Sequence, residues 1–245
     1  GSNNTVVGYE AGKEITTGEN NVIMGYQAGY KAASGTALNV IIGKDAGCLS
    51  TTQGKNVYIG LKAGKCGTTS GSDFNFGNVS VGAYAGEKLT TQCYNTSIGF
   101  YAGQGTCQGN ANVSIGACAG NGGGNGGCNV FIGQAAGTTA KCNAHSVFVG
   151  HNAGAKNQGN HNIAIGACSL KGSDTVTDNT GFGNITIGHK TACAISSGCQ
   201  NIFIGNCTGQ CITTGGDNIA MGKDAGFKFL TAQYNVVLGC EAGCN

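Results

Sequence analysis

Proline and tryptophan are absent from the 245 residues, methionine occurs twice, and only 10% of the chain is charged. Beside 47 glycines, this composition fits neither an average globular domain nor a charged disordered tail. Low charge also means little repulsion against stacking. Lys and Arg number 13 against 11 Asp and Glu, a formal net charge of +2. The basic residues are scattered, so no stripe for nucleic acid and no basic membrane-surface helix is formed. No apolar run approaches the ~20 residues of a membrane span, and no signal peptide opens the chain. Residue 1 is Gly rather than Met, so the chain is expected to be processed or part of something longer.

Catalytic constellations are missing too. The four histidines, His145, His151, His161 and His189, form no Ser/His/Asp or Cys/His set. His145 and His161 each precede a repeat and are expected to lie one above the other as exposed polar residues. The stretch 120–127 is glycine-rich but lacks the Lys-Ser/Thr of a phosphate loop. Asp45 and Asp224 share one repeat position, with Glu10 and Glu241 near it. A glycosidase needs two carboxylates facing across a cleft, and this pattern places none so. No CxxC pair marks a zinc site. The reading is non-enzymatic, with no cofactor and no metal.

What is present is a repeat. Variants of Asn21-Val22-Ile23-Met24-Gly25-Tyr26-Gln27-Ala28-Gly29 begin at Asn4, Asn21, Asn39, Asn56, Asn78, Asn95, Asn112, Asn129, Ser146, Asn162, Asn184, Asn201, Asn218 and Asn235. A fixed period, here 17 residues in most units, is the signature of a solenoid. The fold class is therefore all-β, a parallel β-solenoid of about 14 coils, and residues 1–245 form one repeat domain. Each unit carries three strand residues after its first position, then a glycine that turns the chain where only Gly takes positive φ without strain. Ala before a second Gly fits a tight inner corner. Stacked ~4.8 Å apart, the coils would make a rod roughly 65 Å long. A weaker second strand is expected over Ile15-Thr16-Thr17-Gly18, Leu49-Ser50-Thr51-Thr52, Leu89-Thr90-Thr91 and Ile212-Thr213-Thr214-Gly215. Two units run to 22 residues; their extra residues, including Gly71-Ser72-Asp73 and Gly172-Ser173-Asp174, map to loops on one side.

The first position reads as an internal amide ladder, Asn21, Asn39, Asn56, Asn78, Asn95, Asn112, Asn129, Asn162, Asn184, Asn201, Asn218 and Asn235, each bonding its equivalent one coil away; turn chemistry is the alternative. Ser146 is expected to leave a gap. Sequons at Asn78, Asn95, Asn112 and Asn184 fall on that ladder, whereas Asn206-Cys207-Thr208 is freer. Period-2 alternation, with the second and fourth residues taken as the core pair, turns the third strand residue away from the coil's own core. That column is uncharged throughout and includes Val6, Ile23, Ile41, Tyr58, Phe131, Phe148, Phe203 and Val237. A solvated column would carry charge, so these residues are the candidate subunit interface, or a flat ligand surface.

Fourteen cysteines fall in a suggestive register. Cys48 with Cys66 and Cys193 with Cys211 lie 18 apart, and Cys93 with Cys107 and Cys128 with Cys142 lie 14 apart. Adjacent coils bring equivalent positions within disulfide reach. These four pairs are candidate staples, implying an oxidising setting outside a cell or on a particle. Cys118, Cys168 and Cys207 share one position and read as small hydrophobes.

Asn112-Val113-Ser114-Ile115-Gly116-Ala117-Cys118-Ala119-Gly120 and Asn162-Ile163-Ala164-Ile165-Gly166-Ala167 resemble the YadA-like head repeats of trimeric autotransporter adhesins. The run 21–29 also resembles repeats of bacteriophage tail fibres and other virion fibres. The resemblance covers about nine residues in every unit. It implies a left-handed parallel β-roll with three chains side by side and the third strand residue facing the trimer. The period here is longer than in those heads, so a triangular left-handed helix is the neighbouring geometry. Together these features read as a fibre or filament protein, extracellular, on a cell surface or on a virion. Its partners are expected to be itself, as a homotrimer or an end-to-end filament, and a cell-surface receptor or glycan. The alternative is an ice- or glycan-binding solenoid, weakened because its Thr pairs shift register.

Overall fold

The triplet after each first position forms a strand because a β-branched residue precedes its centre, an aliphatic one follows it and a glycine ends it. The computed structural model describes residues 1–32, 37–49, 53–65, 75–90, 92–105, 109–122, 126–139, 143–174 and 179–244. It divides into two units, Gly1–Gly127 and Cys128–Asn245. In the first, seven three-residue strands stack in parallel: Thr5–Val7, Val22–Met24, Val40–Ile42, Val57–Ile59, Val79–Val81, Thr96–Ile98 and Val113–Ile115. In the second, Val130–Ile132, Val147–Val149, Ile163–Ile165, Ile185–Ile187, Ile202–Ile204, Ile219–Met221 and Val236–Leu238 do the same. Pairing is in register, Ile23 beside Ile41 and Phe131 beside Phe148. The fold is an all-β parallel β-solenoid with a repeat of roughly 17 residues.

Between strands each coil turns at left-handed residues. Gly150 leaves its strand at φ 132°, a region closed to side chains, while His145 and Asn152 adopt φ 56° and 55°. These corners interrupt every run of extended backbone. The expected second strand is accordingly absent over residues 15–18 and 212–215, which are bends and coil. Residues 50–52 and 91 of the other two expected strands lie outside the described residues. A thinner ladder runs instead just ahead of the first position, pairing Glu19 with Ala37, Ala37 with Gly54, and Gln53–Gly54 with Asn75–Phe76. In the second unit Asn157 pairs with Asn179.

The core is a single file of side chains inside the coil. Ile23, Ile41, Tyr58, Phe148 and Phe203 are fully buried, and the alanines at the inner corner, such as Ala46 and Ala153, are sealed as well. This corrects the expected orientation. The third strand residue points into its own coil, while the second and fourth point out. Of the eight candidate interface residues, Ile23, Ile41, Tyr58, Phe131, Phe148 and Phe203 are buried inside; Val6 is exposed and Val237 half-buried in the first and last strands. The reason lies in the Asn column. A buried first residue and a period of two put the third residue inside with it. Where the central residue is large, a glycine faces it: a Cβ at Gly154 would strike the Phe148 ring. Where it is Ala164, that glycine is replaced by Leu170, fully buried at φ 50°.

Candidate functional site

The asparagine column is hydrogen-bonded coil to coil. Asn201 donates its backbone N–H and its Nδ2 to Asn184 Oδ1, both at 3.0 Å, and a second Nδ2 hydrogen bond to Gly215 O at 3.0 Å. Its own Oδ1 accepts from Asn218 N at 3.1 Å and Nδ2 at 3.0 Å. The same backbone-to-amide link joins Asn21 to Asn39, Asn39 to Asn56, Asn78 to Asn95, and Asn95 to Asn112. It also crosses the 22-residue units, Asn78 N to Asn56 Oδ1 and Asn184 N to Asn162 Oδ1, each at 2.8 Å. Asn129 is buried, donates to Asn143 O and accepts from Ser146 N at 2.9 Å. Asn235 ends the described series, donating to Asn218 Oδ1.

Ser146 leaves no gap in the backbone link. Its Oγ accepts from Asn162 N at 3.2 Å. A hydroxyl carries acceptor lone pairs but no amide, so the amide-to-amide bond moves elsewhere, and Asn162 Nδ2 donates to Asn157 Oδ1, Gly159 O and Gly181 O. The sequon asparagines Asn78, Asn95 and Asn184 are buried in this ladder, whereas Asn206 is exposed. The long unit of the second half is pinned by Asn179, which accepts from Ser173 N at 2.8 Å. Residues 66–74 and 175–178, with most of the other insertion, lie outside the described residues.

Of the four candidate staples, Cys48–Cys66, Cys93–Cys107 and Cys128–Cys142 each include a cysteine outside the described residues. Cys193 and Cys211 are both described and carry thiols, not a disulfide. The backbone gives the reason: Ala194 N donates to Gln210 O, so Cys193 faces Gln210 and Cys211 is one step out of register. Burial pushes the Cys193 thiol above its ordinary range, with Cys211 adding to the rise. Since the thiolate is the nucleophile, Cys193 is expected to alkylate at least roughly tenfold more slowly than exposed Cys240, as timed iodoacetamide labelling with peptide mapping would show.

The outer corners form columns of like residues. His145 and His161 stack at 5.3 Å between centroids, Tyr9 on Tyr26 at 5.4 Å, and Tyr84 on Tyr101 at 4.8 Å. Lys44 and Lys62 cap Tyr26 and Tyr84. The carboxylates sit on one such corner, one to a coil: Glu10, Asp45, Asp224 and Glu241 all have positive φ. Glu10 bonds Lys13 at 2.6 Å and accepts from Gln27 at 2.8 Å, which holds its pKa below the ordinary carboxylate value. Asp174 is lowered similarly by Lys156 and Lys171. Glu10 is thus paired with Lys13, Asp174 with Lys156 and Lys171, and Asp224 with Lys223. A groove of about 210 Å³ is lined by Gln27, Tyr30, Lys31, Cys48 and Leu49. Among the described residues no group of three or more His, Cys, Asp or Glu is placed to hold a metal ion, and no helix is long and apolar enough to cross a membrane.

The residues whose exposure sequence reasoning missed are the outward ones. At the second and fourth strand positions every side chain is Val, Ile, Met or Leu except Thr5 and Thr96. Met24, Ile98, Ile132, Ile165 and Met221 are all exposed. The signal was there in the first column, as noted above. The chain matches no known family model, no curated protein and no solved structure.

Proposed function

We propose that this chain is a structural segment of an extracellular or virion fibre, of the kind the adhesin-head and tail-fibre resemblance suggests. Its work is mechanical: to hold a regular stack and to carry its outer columns to a receptor or glycan. The observation that supports this is the asparagine ladder, kept through both long units and through Ser146. Each coil satisfies its polar groups on its neighbours, so a coil gains nothing alone and stiffness grows with stacking. The extracellular setting rests on the resemblance, because Cys193 and Cys211 carry no staple. Purified protein is expected to appear as elongated particles of uniform width in negative stain, and to melt above the ~45–65 °C range of ordinary mesophilic domains. Round particles that melt within that range would overturn the reading.

A further inference from the structure

Among the described residues, each unit leaves the outer face of its parallel sheet open. Fourteen strands with two outward positions each give 28 side chains, 26 of them aliphatic and two Thr, none charged. In the first unit Val7 is 54% and Ile98 38% exposed; in the second Ile132 is 37% and Ile165 39%. The second strand position is β-branched in all fourteen copies, and such side chains are stiff at χ1. The corners of the same coils carry Lys13, Lys44, Lys62, Asp45 and Asp224, so charge is kept off this face and placed beside it.

We infer that this outward strand face, with Ile98, Ile132, Ile165 and their equivalents, is a self-association surface whose occupant is the same face of a second copy. The inference deepens the fibre reading and rests on it. Three arguments select a second copy. The face is neutral and aliphatic, so its partner must be too, or unpaired charge would be buried. Its ridges recur every ~4.8 Å, a period that another copy of this sheet matches coil for coil and an irregular protein surface does not. Its area is of the right size. Seven strands at ~4.8 Å, each three residues of ~3.3 Å, give roughly 340 Å² per unit. One unit alone thus presents as much apolar patch as the largest on a typical monomer.

The test is native mass by light scattering, with circular dichroism on the same samples. Wild type is expected at two or more times the 24.3 kDa chain mass. The pair Ile132→Lys and Ile165→Lys is expected at one chain mass with an unchanged spectrum, its dissociation constant raised on the order of 100-fold or more. Asn152→Lys, at a corner position where Lys62 and Lys190 already stand, is expected to behave as wild type. A lysine pair that stays associated overturns this face while self-association stands. A wild-type monomer overturns the inference too, and leaves the fibre reading to its own shape and melting test. If that monomer pellets with crystalline cellulose or adsorbs to ice, the face belongs to a flat solid instead. Should the lysine pair not fold, the pair Ile132→Thr and Ile165→Thr decides, because Thr5 and Thr96 already stand on this face. A dissociation constant raised roughly tenfold supports the interface, and an unchanged one overturns it.

Discussion

Gly150→Ala is expected to destabilise the second unit by about 4 kcal/mol, combining ~1–3 kcal/mol for a forbidden backbone region with ~1–3 kcal/mol for overpacking. At φ 132° an alanine has no allowed well, and its Cβ would lie 2.6 Å from Gly166 O in the next coil. That oxygen is main chain, so relief requires two coils to part. Gly166, Gly205 and Gly222 form the same column, each with a would-be Cβ against the backbone of the coil that follows. The second left-handed glycine of each coil is different. At that position Leu170 and Ala192 already stand at φ 50° and 46°. A urea titration of Gly150→Ala, followed by hydrogen exchange, should show lost protection on both sides of the altered coil. A midpoint within error of wild type would remove the steric account of the glycine column.

Asn201→Ala is the second large effect, about 2–6 kcal/mol, because it strands two groups at about 1–3 kcal/mol each. Asn218 N loses its acceptor and Gly215 O loses its amide donor, both in buried residues. Asn184 Oδ1 keeps the backbone N–H of residue 201, so the damage runs mainly toward the following coil. Ser146 supplies the control. Its hydroxyl already accepts from the next coil's backbone, so Asn201→Ser is expected to recover about half of the loss, keeping one acceptor and forgoing the bond to Gly215 O. Equal midpoints for the Ala and Ser variants would show that the ladder contributes through packing rather than hydrogen bonding.

The period, the glycine corner and the parallel stack were all legible, because each is imposed by a covalent or steric rule that leaves one residue type in one column. The direction of the strand was not. Alternation says that Val40 and Ile42 share one face and Ile41 the other, but both faces are apolar here, so hydrophobicity alone cannot decide which is inside. The buried first residue decides it, and an inward Asn39 and an inward Val40 were incompatible from the start. Variation in size was the other clue. A column that runs from Ser80 to Tyr58 to Phe203 must be matched across the coil, as Leu170 opposite Ala164 shows. A uniformly β-branched column needs no such matching. The Cys193–Cys211 pair failed on a single step of register, since a spacing of 18 in a 17-residue repeat turns Cys211 away from Cys193.

Because Asn184, Asn201 and Asn218 each donate to the preceding amide and accept from the next, the units that they open begin and end with the same connector. Gene duplication or unequal crossing-over that adds or removes one whole unit there would join like to like. Inheritance can then set the number of coils freely, and a lineage can change how far such a protein reaches without redesigning any of its parts.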